Sequence, residues 1–188
     1  MDLTDAEPQP LLDRMLASAK RDRQTVTPDG HSVRKLIDGV SIHDIRTQMD
    51  ERGTLFEAWD PRWGWHAEPM VSAHCFTIRP GAVKGWVLHQ TYDDRTLVLL
   101  GDMKLVLFDP RPGSATLGQV DEIFLSSERR QIVRTPQNVW HAAQNIGTGD
   151  LMVLDMPTRL YDYAAPDKHR LPLDTPLIPY SFGDATGW

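Results

Sequence analysis

The chain has 188 residues, 40% of them hydrophobic and 24% charged, with a formal net charge of -6. That length can bury one sizeable core, and the negative balance excludes a general attraction to nucleic acid or to an anionic membrane. A single cysteine, Cys75, excludes an internal disulfide and a cysteine-based zinc cluster, which suits a reducing cytoplasm.

The opening "MDLTDAEPQP" is acidic and polar, so it does not read as a secretory signal. No apolar run is long enough to span a bilayer. "LLDRMLASAKRDR" then sets Leu11, Leu12, Met15, Leu16 and Ala19 at helical spacing, which predicts a short amphipathic helix within Leu11–Arg23. Such a face is expected to dock or to pack in a homodimer. Pro28 and Gly30 in "TPDGHS" break the pattern. We therefore expect an N-terminal extension over 1–39 and one domain over 40–188.

From about Val40 the texture changes to short β-rich runs: "SAHCFTI", "TLVLLG", "MKLVLFD", "VDEIFLS", "QIVR" and "LMVLDM". Turn clusters such as "RPGAVKG", "DPRPGSATLG" and "NIGTGD" separate them. Closely spaced short strands leave no room for helical crossovers, which predicts an all-β sandwich or small barrel. The closing "TPLIPYSFGDATGW" is rich in proline and glycine, and is expected to lie extended across the domain. "WDPRWGWH" gathers Trp59, Trp63 and Trp65, suited equally to stacking on a ligand and to a subunit interface.

The stretch "RTPQNVWHAAQN" carries Pro136, Asn138, His141 and Asn145. These residues resemble the second motif of the cupins, with Asn138 in place of a glycine; asparagine tolerates a left-handed backbone. The resemblance implies a cupin-type jelly roll, whose first motif should supply further metal ligands. The matching region "GWVLHQTYDDRTLVLLG" offers His89, but Thr91 stands where a second histidine would be and Arg95 lies near the expected glutamate. Two histidines and an arginine make a poor divalent site, so no metal and no cofactor is expected.

Five blocks in order extend the resemblance over about 40–182: "DERGTLFEAW", "GAVKGWVLHQ", "LFDPRPGSATLGQ", "LSSERRQIVRTPQNVWHAAQN" and "YDYAAPDKHRLPLDTPLIPY". Together they resemble the dTDP-4-dehydrorhamnose 3,5-epimerase family. The second block carries one extra residue before His89. The resemblance implies proton transfer beside the 4-keto group of a nucleotide-linked sugar. It implies His89 as base, Asp174 as the carboxylate holding it, and Arg95 near the enolate oxygen. It places His141 in the sugar pocket, and Arg52 and Lys84 on the nucleotide phosphates. His74, with Ser72, stands where the family carries a Gln-x-Asn pair.

Histidine suits the base, because its ordinary pKa of about 6.5 sits near neutrality. The bland alternatives are a hydrogen-bonded core histidine for His89 and His141, a turn aspartate beside Pro176 for Asp174, and solvated charges for Arg52 and Lys84. Counting along the family's closing segment puts Thr158 at its acidic tyrosine, with Tyr161 or Tyr163 able to substitute only if the backbone shifts. Three classes follow: an epimerase-like enzyme, a ketoisomerase on a 4-keto-6-deoxy sugar nucleotide, and a non-catalytic small-molecule binder or metal cupin.

Overall fold

The computed structural model describes residues 8–187, which fall in two compact units that divide between Lys35 and Leu36. In the first, helix α1 spans Pro8–Ser18, beginning and ending earlier than the periodicity suggests. Its apolar residues Leu12, Met15 and Leu16 are exposed. An antiparallel bridge between Val26 and Ser32 closes the turn containing Pro28 and Gly30. Among the described residues no helix is long and apolar enough to cross a membrane.

The second unit is a jelly roll of two facing five-stranded sheets. The first sheet has the order β1 (Ser41–Asp44), β9 (Gln131–Thr135), β6 (Asp94–Leu100), β11 (Leu151–Asp155), β4 (His74–Ile78). The second has β12 (His169–Arg170), β5 (Val83–Leu88), β10 (Trp140–Asn145), β7 (Asp102–Phe108), β8 (Val120–Ser126). A separate hairpin pairs β2 (Thr47–Asp50) with β3 (Gly53–Phe56).

Alternation decides what each strand contributes, since successive side chains point to opposite faces. Val98 and Val153 from the first sheet meet Met103, Leu105, Leu107, Ile123 and Leu125 from the second in the central core. On the outer face of the first sheet, Leu97, Ile132 and Met156 pack against Trp59, Trp63 and Trp65. On the outer face of the second, Trp86, Val106 and Ala142 are covered by Ile178, Tyr180 and Phe182. The tail is therefore a third layer; it closes on β5 through a hydrogen bond from the Val83 N–H to the Thr186 carbonyl, 2.8 Å.

Two backbone features prepare the site. Asn138 adopts φ 61°, the left-handed conformation that its place in "PQN" demands. Between β5 and β10 the register runs His141↔Val87 and then Ala143↔Lys84, so β5 carries one extra residue. That is a β-bulge in the strand that leads to His89. It also turns both Lys84 and Val87 toward the space between the sheets.

Candidate active site

Between the sheets lies a cavity of about 290 Å³, lined by His89, Asp94, His141, His74, Asp155, Lys84, Lys168 and Arg170 among others. The strand pattern explains the membership. Asp94 and Thr96 share the inward face of β6 with Val98, and Asp155 shares that of β11 with Val153. His141 shares the inward face of β10 with Ala143.

His89 is buried and follows β5 directly. Its Nδ1 bonds the backbone carbonyl of Asp167, which can only accept, so Nδ1 carries the proton. The lone pair is left on Nε2, which faces Asp94 Oδ2 at 3.2 Å. His141 repeats the arrangement more loosely: Nδ1 lies 3.3 Å from the Val139 carbonyl and Nε2 3.4 Å from the same Asp94 oxygen. The three ligand-type atoms lie within 4.8 Å of one another. Burial pushes the Asp94 carboxyl up, but the facing imidazoles of His141 and His89, which bond it when they carry charge, outweigh burial and hold the group well below the usual carboxylate range. Two imidazole lone pairs and a carboxylate oxygen thus share one small space. Such a space favours a positive charge.

Tyr92 stacks on His89 with ring centroids 4.2 Å apart. Asp167 fixes the segment that holds the histidine: its carboxylate accepts from the backbone N–H groups of Gln90 (3.0 Å) and Thr91 (2.7 Å) and from the Thr91 hydroxyl (2.7 Å). The short strand β12 then pairs with β5 and brings Lys168 and Arg170 to the cavity. Burial, followed by the charges of Lys168 and Arg170, lowers the Lys84 ammonium below its ordinary value. Burial and Arg170 do the same to Lys168. The cluster is suited to an anion.

On the facing sheet, His74 Nε2 lies 3.6 Å from Asp155 Oδ2, and Thr96 donates to Asp155 Oδ1 at 3.3 Å. Burial and then the Asp94 charge push the Asp155 carboxyl well above the usual range.

Of the residues expected from sequence, the structure brings His89, His141, Lys84 and His74 to this cavity. Others it places elsewhere. Arg95 neighbours Asp94 on β6, so alternation sends it to the opposite face. There it is buried, donates to the carbonyls of Met156 (2.9 Å), Glu68 (2.9 Å) and Pro69 (2.8 Å), and lies over the Trp59 ring. It cannot face an enolate in the cavity. Asp174 is exposed and lines a separate surface depression with Leu171, Tyr180 and Phe182. The carboxylate beside His89 Nε2 is that of Asp94.

Thr158 is tied to Asp93, whose backbone N–H donates to its hydroxyl at 3.0 Å. Arg52 is exposed at the β2–β3 turn and pairs locally with Asp50. Tyr163 is 89% exposed, edge-on to Tyr161. The tryptophan cluster packs behind the first sheet, with Trp63 stacked on His43 at 4.6 Å. Asp94, Asp155 and Lys168 were missed. Asp94 and Asp155 open and close apolar strands, which was the available signal. Nothing local marked Lys168.

The fold and the cavity define a cupin-type jelly roll with an inter-sheet small-molecule site. The family profile described as dTDP-4-dehydrorhamnose 3,5-epimerase matches residues 34–176, and the chain belongs to that family, whose members are enzymes acting on nucleotide sugars. It is 31% identical over 140 residues to the probable low-salt glycan biosynthesis epimerase Agl13 of Haloferax volcanii, covering 73% of this chain and 89% of that one. A dTDP sugar isomerase from Desulfovibrio desulfuricans superposes with a TM-score of 0.73 at 22% identity, over 79% of this chain and 94% of that one. The epimerase RmlC of Legionella pneumophila, solved with dTDP-4-keto-L-rhamnose, superposes with a TM-score of 0.70 at 21% identity, over 82% and 85% of the two chains.

Proposed function

We propose that this enzyme epimerises a nucleotide-linked 4-keto-6-deoxy sugar, with His89 Nε2 taking the proton beside the carbonyl. The observation that carries the reading is the tautomer of His89. The Asp167 carbonyl holds the proton on Nδ1, so Nε2, which faces the cavity beside Asp94 Oδ2 and the Tyr92 hydroxyl, is the nitrogen that can take one. The imidazolium that forms lies beside the Asp94 carboxylate, 3.2 Å from Nε2 to Oδ2, whose charge stabilises it. Lys84, Lys168 and Arg170 would meet the diphosphate, or the oxygen on which enolate charge grows. That the Legionella relative holds dTDP-4-keto-L-rhamnose supports a substrate of this chemistry.

The test is incubation with a dTDP- or UDP-linked 4-keto-6-deoxy sugar in deuterium oxide, followed by mass and NMR analysis. Deuterium should enter at a carbon next to the keto group. His89→Asn should slow that exchange about a hundred- to ten-thousandfold, the usual cost of losing a general base. No exchange by the wild-type protein into either nucleotide sugar would overturn the reading.

The convergence of His89, Asp94 and His141 supports a second reading, a divalent cation held by the two Nε2 atoms and the carboxylate. Histidine ligands commonly anchor their other nitrogen on a carbonyl, as these do. Metal analysis of purified protein separates the two. Stoichiometric zinc, iron, manganese or nickel, with exchange lost on chelation, would make His89 a ligand rather than the base.

A further inference from the structure

We infer that Asp155 is the proton donor of this site, acting on the face of the sugar ring opposite His89. The inference rests on the keto-sugar reading above and supplies the acid that Thr158, bound up with Asp93, does not.

The cavity lies between two sheets, and the groups come from both walls. His89 follows β5 and His141 sits on β10, both in the second sheet. Asp155 closes β11 in the first sheet, with His74 opposite it on β4 and Thr96 opposite it on β6. The walls touch where Asp94 of the first sheet faces both imidazoles; beside that contact, a ring between the sheets has the histidines on one side and the Asp155 row on the other. Inversion at a carbon needs that opposition, because the proton leaves one face and returns to the other.

The bonding of Asp155 suits a donor. Thr96 donates to Oδ1, while Oδ2 has His74 Nε2 at 3.6 Å, beyond a normal hydrogen bond. Burial and the nearby Asp94 charge favour the proton-bearing form of this carboxyl. The His74 side chain is half exposed, and so offers a route by which solvent can return the proton.

The step balances. His89 Nε2 takes the proton from the carbon beside the carbonyl, and the C–H pair becomes the enolate double bond, with charge on oxygen. The carbonyl re-forms as the double-bond pair takes the Asp155 proton on the opposite face. His89 ends protonated and Asp155 ionised; exchange with solvent, through His74 on the Asp155 side, restores both.

The experiment is Asp155→Asn in deuterium oxide with the same 4-keto-6-deoxy sugar nucleotide, checking the fold by thermal melting and dTDP binding. The base remains, so deuterium should still enter recovered substrate with its configuration kept, within several-fold of the wild-type rate. Inverted product should fall about a hundredfold or more. Asp155→Glu should restore part of the inversion and guards against a variant that merely fails to fold. Inversion at the wild-type rate by Asp155→Asn would place the acid elsewhere. Loss of exchange together with inversion would put Asp155 on the side of the base. Either result overturns the assignment while leaving the wild-type exchange reaction standing. Absence of exchange in the wild type would instead remove the reading beneath it.

Discussion

Asp109 and Asp155 are both buried aspartates just beyond or at the end of an inner strand, yet their surroundings are opposite. Asp109, 0% exposed, accepts from the Arg111 backbone N–H, from Arg111 Nε and Nη2, and from the Ser114 and Thr116 hydroxyls, all at 2.6–3.0 Å. Burial raises its carboxyl, but those donors outweigh it and hold the group well below the usual range. Asp155, 9% exposed, has a hydroxyl at 3.3 Å and an imidazole at 3.6 Å. Burial wins there, and its carboxyl is pushed up. A buried carboxylate surrounded by donors is scaffold. One with few donors, facing a cavity, is suited to chemistry.

The comparison can be broken most sharply at Asp109. Asp109→Ala would strand the Arg111 guanidinium and two hydroxyls; breaking a buried pair of this kind costs about 3–5 kcal/mol. The melting temperature should fall by roughly 10 °C, while dTDP affinity in the surviving folded protein stays within a few-fold. A melting curve matching the wild type would deny Asp109 its structural role.

A middle-sized effect is expected at the anion cluster. Lys168→Met should weaken dTDP binding by about tenfold, the scale of one charged contact to phosphate, and leave the melting temperature within about 2 °C. Calorimetric titration at low and physiological salt checks it, since the loss should be larger at low salt. Equal affinity in the variant would remove Lys168 from the phosphate site.

The smallest effect sharpens the contrast from the other side. The folded-state pKa of Asp155 is raised above the unfolded value of about 3.9. Its favourable contribution is therefore complete below that pH and lost as pH rises through the folded value. Asp155→Asn removes the resulting penalty at neutral pH. The variant should melt about 2–4 °C above the wild type at pH 8, corresponding to about 1 kcal/mol, with the gap closing toward pH 4. Asp109→Asn should show the reverse, most damaging at neutral pH and least damaging in acid, because a depressed carboxyl stabilises only while ionised. Scanning calorimetry of both variants across that pH range decides the matter.

Much of the fold was legible in the chain itself. Short alternating strands and Gly/Pro turns specified the sandwich, and "PQNVWH" specified a left-handed turn that Asn138 adopts. Only the pairing with β10 showed that the strand leading to His89 bulges and turns Lys84 inward. Arg95 shows the limit. Its position in the sequence differs from that of Asp94 by one, and that one residue exchanges the cavity for the outer face of the sheet.

The sequence alone determined the strands, their spacing, the two histidines and the family, because these depend on local periodicity and on motifs of fixed spacing. Tertiary structure decided which carboxylate lies beside His89, which face Arg95 takes, and that Asp155 and Lys168 share a cavity with residues more than sixty positions away. Those choices rest on strand register and on the packing of two sheets. Proximity made by pairing distant strands leaves no mark in either segment alone.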